Sequence, residues 1–132
     1  MKILIAEDTP VNQVLLADFL KPYGECHIAS DGCEAVAMFE KSLEANVQRY
    51  DLLCLDIMMP KMDGQVALQK IRQMEKDKGI VANDCVKILM ITALDDSENI
   101  MQALVKGKCE GYLTKPVSRA TLQDQLVTLG LV

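Results

Sequence analysis

Glu7-Asp8 follows the apolar run Ile3-Leu4-Ile5-Ala6, and Asp56 follows Leu52-Leu53-Cys54-Leu55. Short apolar runs of this kind read as buried parallel strands, so all three carboxylates should stand at strand C-terminal ends. Open α/β sheets build their ligand sites at that edge. Carboxylates gathered there repel one another, and a divalent cation relieves the repulsion. Two further segments bring different chemistry to the same edge. Thr92 closes Val86-Lys87-Ile88-Leu89-Met90-Ile91, and Lys115 closes Tyr112-Leu113-Thr114. A metal, a carboxylate nucleophile, a hydroxyl and an ammonium together are equipment for handling a phosphoryl group. Mg²⁺ takes one or two carboxylates and leaves its other positions to water and phosphate oxygens. Asp56 then reads as the nucleophile toward phosphorus, and Lys115 as the charge that offsets the product. Taken singly, Asp8 and Asp56 have a plainer reading as turn or capping residues. The gathering of all five groups at one set of strand ends is harder to obtain from turn chemistry.

The elements that must position these groups alternate along the chain. A first strand over Lys2–Ala6 leads into a helix with Thr9 as N-cap and Pro10 at its first position. Its apolar stripe is Val11, Leu15, Leu16, Phe19 and Leu20, and Pro22-Tyr23-Gly24 stops it. A second strand over Glu25–Ala29 precedes a helix carrying Ala35, Val36, Phe39 and Leu43. The third strand ends at Asp56. Pro60 to Gly64 form a loop before a helix bearing Ala67, Leu68, Ile71 and Met74. Strand four is expected over Val86–Ile91, helix four over Asp95–Val105 with Ile100, Ala103 and Leu104 inward, and strand five near Glu110–Leu113. Ser118 caps a last helix with Leu122, Leu126 and Leu129. Glu75 to Asp84 reads as a polar surface loop that extends the third helix and to which no chemistry attaches. Five βα units imply a parallel sheet with helices on both faces.

The chain has 132 residues, half of them hydrophobic, which suits one domain over residues 1–132. A net charge of −5 with singly scattered lysines argues against a nucleic-acid surface. The five cysteines (Cys26, Cys33, Cys54, Cys85, Cys109) show no C-x-x-C spacing and read as reduced thiols of a cytosolic protein. No stretch approaches the ~20 apolar residues of a membrane span, and the N-terminal apolar run is too short for a signal peptide. The expectation is a soluble, cytoplasmic protein that engages no membrane. His27, the single histidine, lies in the second strand away from the acidic edge, so a phosphohistidine donor would have to be another protein.

Glu7-Asp8, Asp56 with Met59-Pro60 and Met62-Asp63-Gly64 after it, Thr92-Ala93 and Lys115-Pro116 together resemble the receiver domain of bacterial two-component response regulators. The resemblance runs from Lys2 to the final helix. It implies a flavodoxin-like, doubly wound (βα)5 fold with a five-stranded parallel sheet in the order 2-1-3-4-5. It implies that Asp56 accepts a phosphoryl group from a sensor histidine kinase or a histidine phosphotransfer protein. Glu7, Asp8, Asp56 and the backbone carbonyl of Met58 would hold Mg²⁺, with Mn²⁺ as the alternative. Thr92 and Lys115 would bind phosphoryl oxygens, and the small Ala93 would leave room for them. Thr92 and Tyr112 would form the switch, although Lys108-Cys109-Glu110-Gly111 departs from the family pattern before that tyrosine.

Such a chain is a phosphoacceptor switch and not an enzyme: it catalyses only its own phosphorylation and slow dephosphorylation. Met58 and Leu94 flank the approach of hydrolytic water in this family, and neither carries an acid or amide to orient it. Because the sequence ends soon after the last helix, the expected output is binding to a downstream protein target through the helix four, strand five and helix five face. A monomer is expected, with dimerisation on phosphorylation as the alternative. Chemotaxis and phosphorelay roles both stay open, and Pro10-Val11-Asn12-Gln13 is similar to receivers attached to hybrid kinases. Two other classes fit less well. A phosphohydrolase of the haloacid dehalogenase type would need an Asp where Met58 stands. A flavin or nucleotide carrier would need a glycine-bearing phosphate loop, and Glu7-Asp8-Thr9-Pro10 is acidic and lacks one.

Overall fold

The structure, a computed structural model, describes residues 1–92 and 109–132. Five strands, β1 (Lys2–Ala6), β2 (Glu25–Ala29), β3 (Leu52–Asp56), β4 (Lys87–Thr92) and β5 (Gly111–Thr114), form one parallel sheet in the order β2-β1-β3-β4-β5. The helices are α1 (Pro10–Leu20), α2 (Gly32–Ser42), α3 (Gly64–Asp77) and a C-terminal helix (Arg119–Thr128). The expected order 2-1-3-4-5 is the order observed. The expected helix over Asp95–Val105, with Ala93 and Leu94 before it, lies outside the described residues.

Alternation of side chains across the strands splits the core in two. Leu4, Leu53, Leu55, Ile88 and Met90 face α2 and α3, where Phe39, Leu68 and Ile71 meet them. Ile3, Ile5, Leu52, Cys54, Leu89, Ile91 and Leu113 face the other way, against Leu16 and Leu20 of α1 and Leu122 and Leu126 of the C-terminal helix. Both faces are covered, so β1 and β3 have to read as unbroken apolar runs. Each fully buried Leu or Ile contributes about 1.5–3 kcal/mol by leaving water.

Side-chain caps set three helix starts. Asp31 Oδ1 accepts from Glu34 N at 2.8 Å, Asp63 Oδ1 from Val66 N at 3.0 Å, and Ser118 Oγ from Thr121 N at 3.1 Å. Thr9 occupies the N-cap of α1 with extended backbone but makes no capping hydrogen bond, so Pro10 at the first position carries that helix start. All five cysteines are free thiols, and burial pushes that of Cys54 up to about 12.

Two sequence expectations need correction. Val11 and Leu15 belong to no buried stripe: Val11 is 72 % exposed, and only Leu16 and Leu20 of that set are fully buried. Glu75 to Asp84 is not simply a polar surface loop either. α3 runs to Asp77, a 3-10 turn covers Ala82–Asp84, and Glu75 is buried. Glu75 Oε2 accepts from Val86 N at 2.7 Å, while Oε1 takes a 2.7 Å bond from Arg72. Arg72 in turn grips both oxygens of Glu110 at 2.9 Å, and Glu110 Oε2 accepts from Ile88 N. This half-buried ion cluster ties α3 to the starts of β4 and β5.

Candidate functional site

Parallel pairing brings the C-terminal ends of β1, β3, β4 and β5 to one edge, and the main chain extends that order past the strands. Ile57 N donates to Ile91 O at 3.0 Å, and Lys115 N donates to Thr92 O at 2.8 Å. Glu7, Asp56 and Thr92 are buried there, while Asp8 is exposed. Gly64 lets the loop after β3 fold back onto this edge. Its N–H donates to Ile57 O at 2.8 Å, and a Cβ would run into the carbonyl of Asp56 and stand 2.8 Å from Ile57 Cα.

Lys115 Nζ lies 2.9 Å from Asp56 Oδ2 and 3.7 Å from Glu7 Oε1. Met58 N donates to Asp56 Oδ1 at 3.2 Å, and Asn12 Nδ2 donates to Glu7 Oε1 at 3.0 Å. One carboxylate oxygen from each of Glu7, Asp8 and Asp56 lies within 4.8 Å of the other two. Opposite ligands of octahedral Mg²⁺ stand about 4.2 Å apart, so a small contraction closes the set on such an ion. Glu7 supplies the more pointed observation. With Asp56 ionised, Glu7 Oε2 is buried with no hydrogen-bond partner, a costly state that a cation would relieve. The residues present fit a divalent metal.

Electrostatics match that reading. Burial and the adjoining Glu7 push the Asp56 carboxyl up to about 7, outweighing the pull of Lys115. A proton on Asp56 lets the two carboxyls hydrogen-bond each other. Burial alone would raise Glu7, but Asp56, Asn12 and Lys115 together hold it below the usual carboxylate range. Burial would likewise lower Lys115, yet Asp56 and Glu7 hold its ammonium above the ordinary lysine value. The cluster is short of positive charge.

The side chain of Met58 stands 67 % exposed, and Tyr112 is 40 % exposed with its carbonyl accepting from Gln125 Nε2 at 3.4 Å. His27 sits at the far side of the sheet, hydrogen-bonded through Nδ1 to the Tyr50 hydroxyl at 2.8 Å. Glu7, Asp8, Asp56 and Lys115 therefore converge, Thr92 closes the neighbouring strand, and Tyr112 lies outward on β5. Sequence reasoning missed two features of α1. Asn12 and Gln13 hold Glu7, Gln13 through Nε2 to the Glu7 carbonyl at 2.7 Å. Val11, Val14 and Leu15 are exposed apolar residues at successive turns of α1, and Leu15 reaches the wall of the cleft. The signal was present, since α1 is apolar on more sides than one buried stripe requires. A cavity of about 290 Å³ opens next to it, between Leu15, Leu16, Pro116 and Val117, with Glu7 and Lys115 at its wall.

Comparison with known proteins agrees with this geometry. The osmosensing histidine protein kinase SLN1 of Saccharomyces cerevisiae is 34 % identical over 128 residues, covering 96 % of this chain but 10 % of the kinase. The chain thus spans about a tenth of that relative's length. Chemotaxis protein CheY of Treponema pallidum is 29 % identical, with 97 % of this chain and 81 % of CheY covered. Among solved structures, the S. cerevisiae Ssk1 receiver domain, captured with the histidine phosphotransfer protein Ypd1, superposes with a TM-score of 0.83 at 30 % identity. That match covers 98 % of this chain and 88 % of the other. The receiver domain of sensor histidine kinase PA1611 from Pseudomonas aeruginosa, with magnesium in its active-site cleft, matches at 0.76 and 33 % identity over 98 % of this chain and 97 % of its own. The response regulator receiver domain model matches residues 3–127, and with the acidic cleft at the strand ends it establishes that this chain belongs to that family.

Proposed function

We propose that Asp56 accepts a phosphoryl group from a phosphohistidine on a partner protein, and that the resulting phosphoaspartate changes which proteins the domain binds. The observation that carries this is the Asp56 carboxylate itself. It is held at the cleft by Lys115 and the Met58 N–H, against Glu7 and Asp8. A carboxylate oxygen of Asp56 forms the new bond to phosphorus as the phosphorus–nitrogen bond to imidazole breaks, and the ring nitrogen keeps the electron pair. The added oxygens bring roughly −1.5 to −2 charge beside Lys115, whose ammonium is already in place to meet it. A Mg²⁺ or Mn²⁺ ion held by Glu7, Asp8, Asp56 and the Met58 carbonyl would supply the positive charge that the cluster lacks. The chain acts as a switch and processes no external substrate.

The exposed face of α1 gives the donor a place to dock. Val11, Val14 and Leu15 are exposed on α1, which runs from the cleft with Leu15 at its wall, and a helical phosphotransfer protein fits a shallow apolar surface of that kind. The yeast receiver captured with Ypd1 supports this choice of partner. Thr92 and Tyr112 would relay the change, Thr92 by bonding a phosphoryl oxygen and Tyr112 by moving inward from its exposed position. Output through the face that includes β5 and the C-terminal helix, action in the cytoplasm and a monomeric state complete the reading. The test is transfer from a panel of phosphorylated histidine kinases and phosphotransfer proteins, sampled at short times. At least one donor should lose its label to the wild-type chain and none to Asp56→Asn. Equal transfer to the variant would remove Asp56 from the mechanism.

A further inference from the structure

The two oxygens of the Glu7 carboxylate are treated unequally. Glu7 is fully buried at the end of β1, and both its neighbours lie on the Oε1 side: Asn12 Nδ2 donates to Oε1 at 3.0 Å, and the Lys115 ammonium faces it as an ion pair at 3.7 Å. Oε2 is equally buried and, with Asp56 ionised as it must be to hold a cation, has no donor. An unpaired buried carboxylate oxygen is expensive, and spreading the two donors over the two oxygens would remove the expense. Gathering both on the Oε1 side instead leaves the other oxygen open, on a carboxylate that joins Asp8 and Asp56 in one cluster with an oxygen from each within 4.8 Å of the others.

We propose that Asn12 is a positioning residue for the cation site, orienting Glu7 so that Oε2 is presented to the metal. The proposal rests on reading the acidic cleft as a divalent site. An amide suits the task because it donates to Oε1 without adding a positive charge that would oppose the cation. Partners of this kind commonly change metal affinity as strongly as a weak ligand does. Lys115 cannot hold Oε1 throughout the cycle. Once Asp56 carries a phosphoryl group, its ammonium has that group to pair with, and Asn12 is the donor that stays. Gln13 provides a contrast within the same helical turn. Its Nε2 holds Glu7 by the main-chain carbonyl at 2.7 Å and approaches Ser30 Oγ at 3.4 Å, so it fixes the strand end and leaves the carboxylate orientation alone.

Calorimetric titration of the metal-free chain with Mg²⁺, well below its melting temperature, tests this. Asn12→Ala and the similarly sized Asn12→Leu should both bind Mg²⁺ about tenfold or more weakly than wild type. Gln13→Ala should bind with near wild-type affinity, whatever its melting temperature in EDTA. Wild-type affinity in both Asn12 variants would overturn the proposal, as would an equal loss in Gln13→Ala, which would point to general disturbance of the strand end. If either Asn12 variant fails to fold, circular dichroism shows it and the other decides. A wild-type chain that takes up no Mg²⁺ would overturn the underlying cation site itself, a result distinct from equal binding by wild type and variants.

Discussion

Asp56 carries the largest electrostatic cost in the cleft. Its carboxyl is raised to about 7, first by burial and then by Glu7. The folded chain therefore holds a proton there that the unfolded chain has released, over the range between the ordinary carboxylate value and about 7. By linkage, metal-free stability falls as pH rises through that window. Glu7 is shifted the other way, so its contribution is lost only further into acid. Urea unfolding in EDTA between about pH 5 and about pH 8 should show stability declining with pH, and excess Mg²⁺ should flatten the decline. A metal-free stability that rises across the window would contradict the assigned charges. Met58 bears on the other end of the cycle. Its exposed thioether stands two residues past the acceptor and offers no group to orient water. Met58→Asn should speed loss of the phosphoryl group by roughly tenfold, which corresponds to about 1.4 kcal/mol of barrier. An unchanged half-life would show that this side chain does not control the water. Among residues, the acceptor, the acidic pair and the lysine were legible because each ends an apolar run. Asn12 was not, because an amide in the first turn of a helix has many uses, and only the hydrogen bond to Glu7 selects one.

Elements separate what local pattern decides from what needs tertiary contact. β1 and β3 coincide with the apolar runs, β2 takes its expected bounds, and Pro10 and Ser118 mark helix starts that the structure keeps. Expectation and structure part on α1, where hydropathy cannot say which of two apolar faces meets the sheet. Val14 is 70 % exposed, so Val14→Asp should leave folding intact. It should slow phosphotransfer from a histidine protein by about tenfold, the scale of one lost apolar contact near 1.4 kcal/mol, while labelling by a small phosphodonor continues. Equal slowing with both donors would place the damage in the cleft and remove α1 as the docking face. The corner built by Arg72, Glu75 and Glu110 was equally hidden, since Glu110 lies 38 residues beyond Arg72 of the Arg72–Glu75 pair of α3. Arg72→Met leaves two carboxylates at that corner without their shared cation. The expected cost is about 3 kcal/mol, read as a lower urea midpoint. A midpoint equal to wild type would show that the cluster holds nothing together.

For the molecule as a whole, the architecture puts the carboxylates at one sheet edge and leaves the charge imbalance to be met by ligands. Mg²⁺ that binds only the folded chain should add about 2.7 kcal/mol at a hundred times its dissociation constant. Asp8→Ala, which removes the exposed carboxylate, should weaken that gain. The parallel sheet and its order were legible because alternating βα units admit few arrangements. The interaction surfaces were less so, because a surface is defined by what packing leaves uncovered. The central claim is that this cleft makes Asp56 a phosphoryl acceptor. Intact-mass measurement after incubation with a small phosphodonor tests it most directly, with and without Mg²⁺, in wild type and Asp56→Asn. A gain of one phosphoryl group, hydroxylamine-labile and mapped to Asp56, is expected in the wild type with Mg²⁺ alone. A mass gain of the same size in Asp56→Asn, or none in the wild type with Mg²⁺ present, would contradict it.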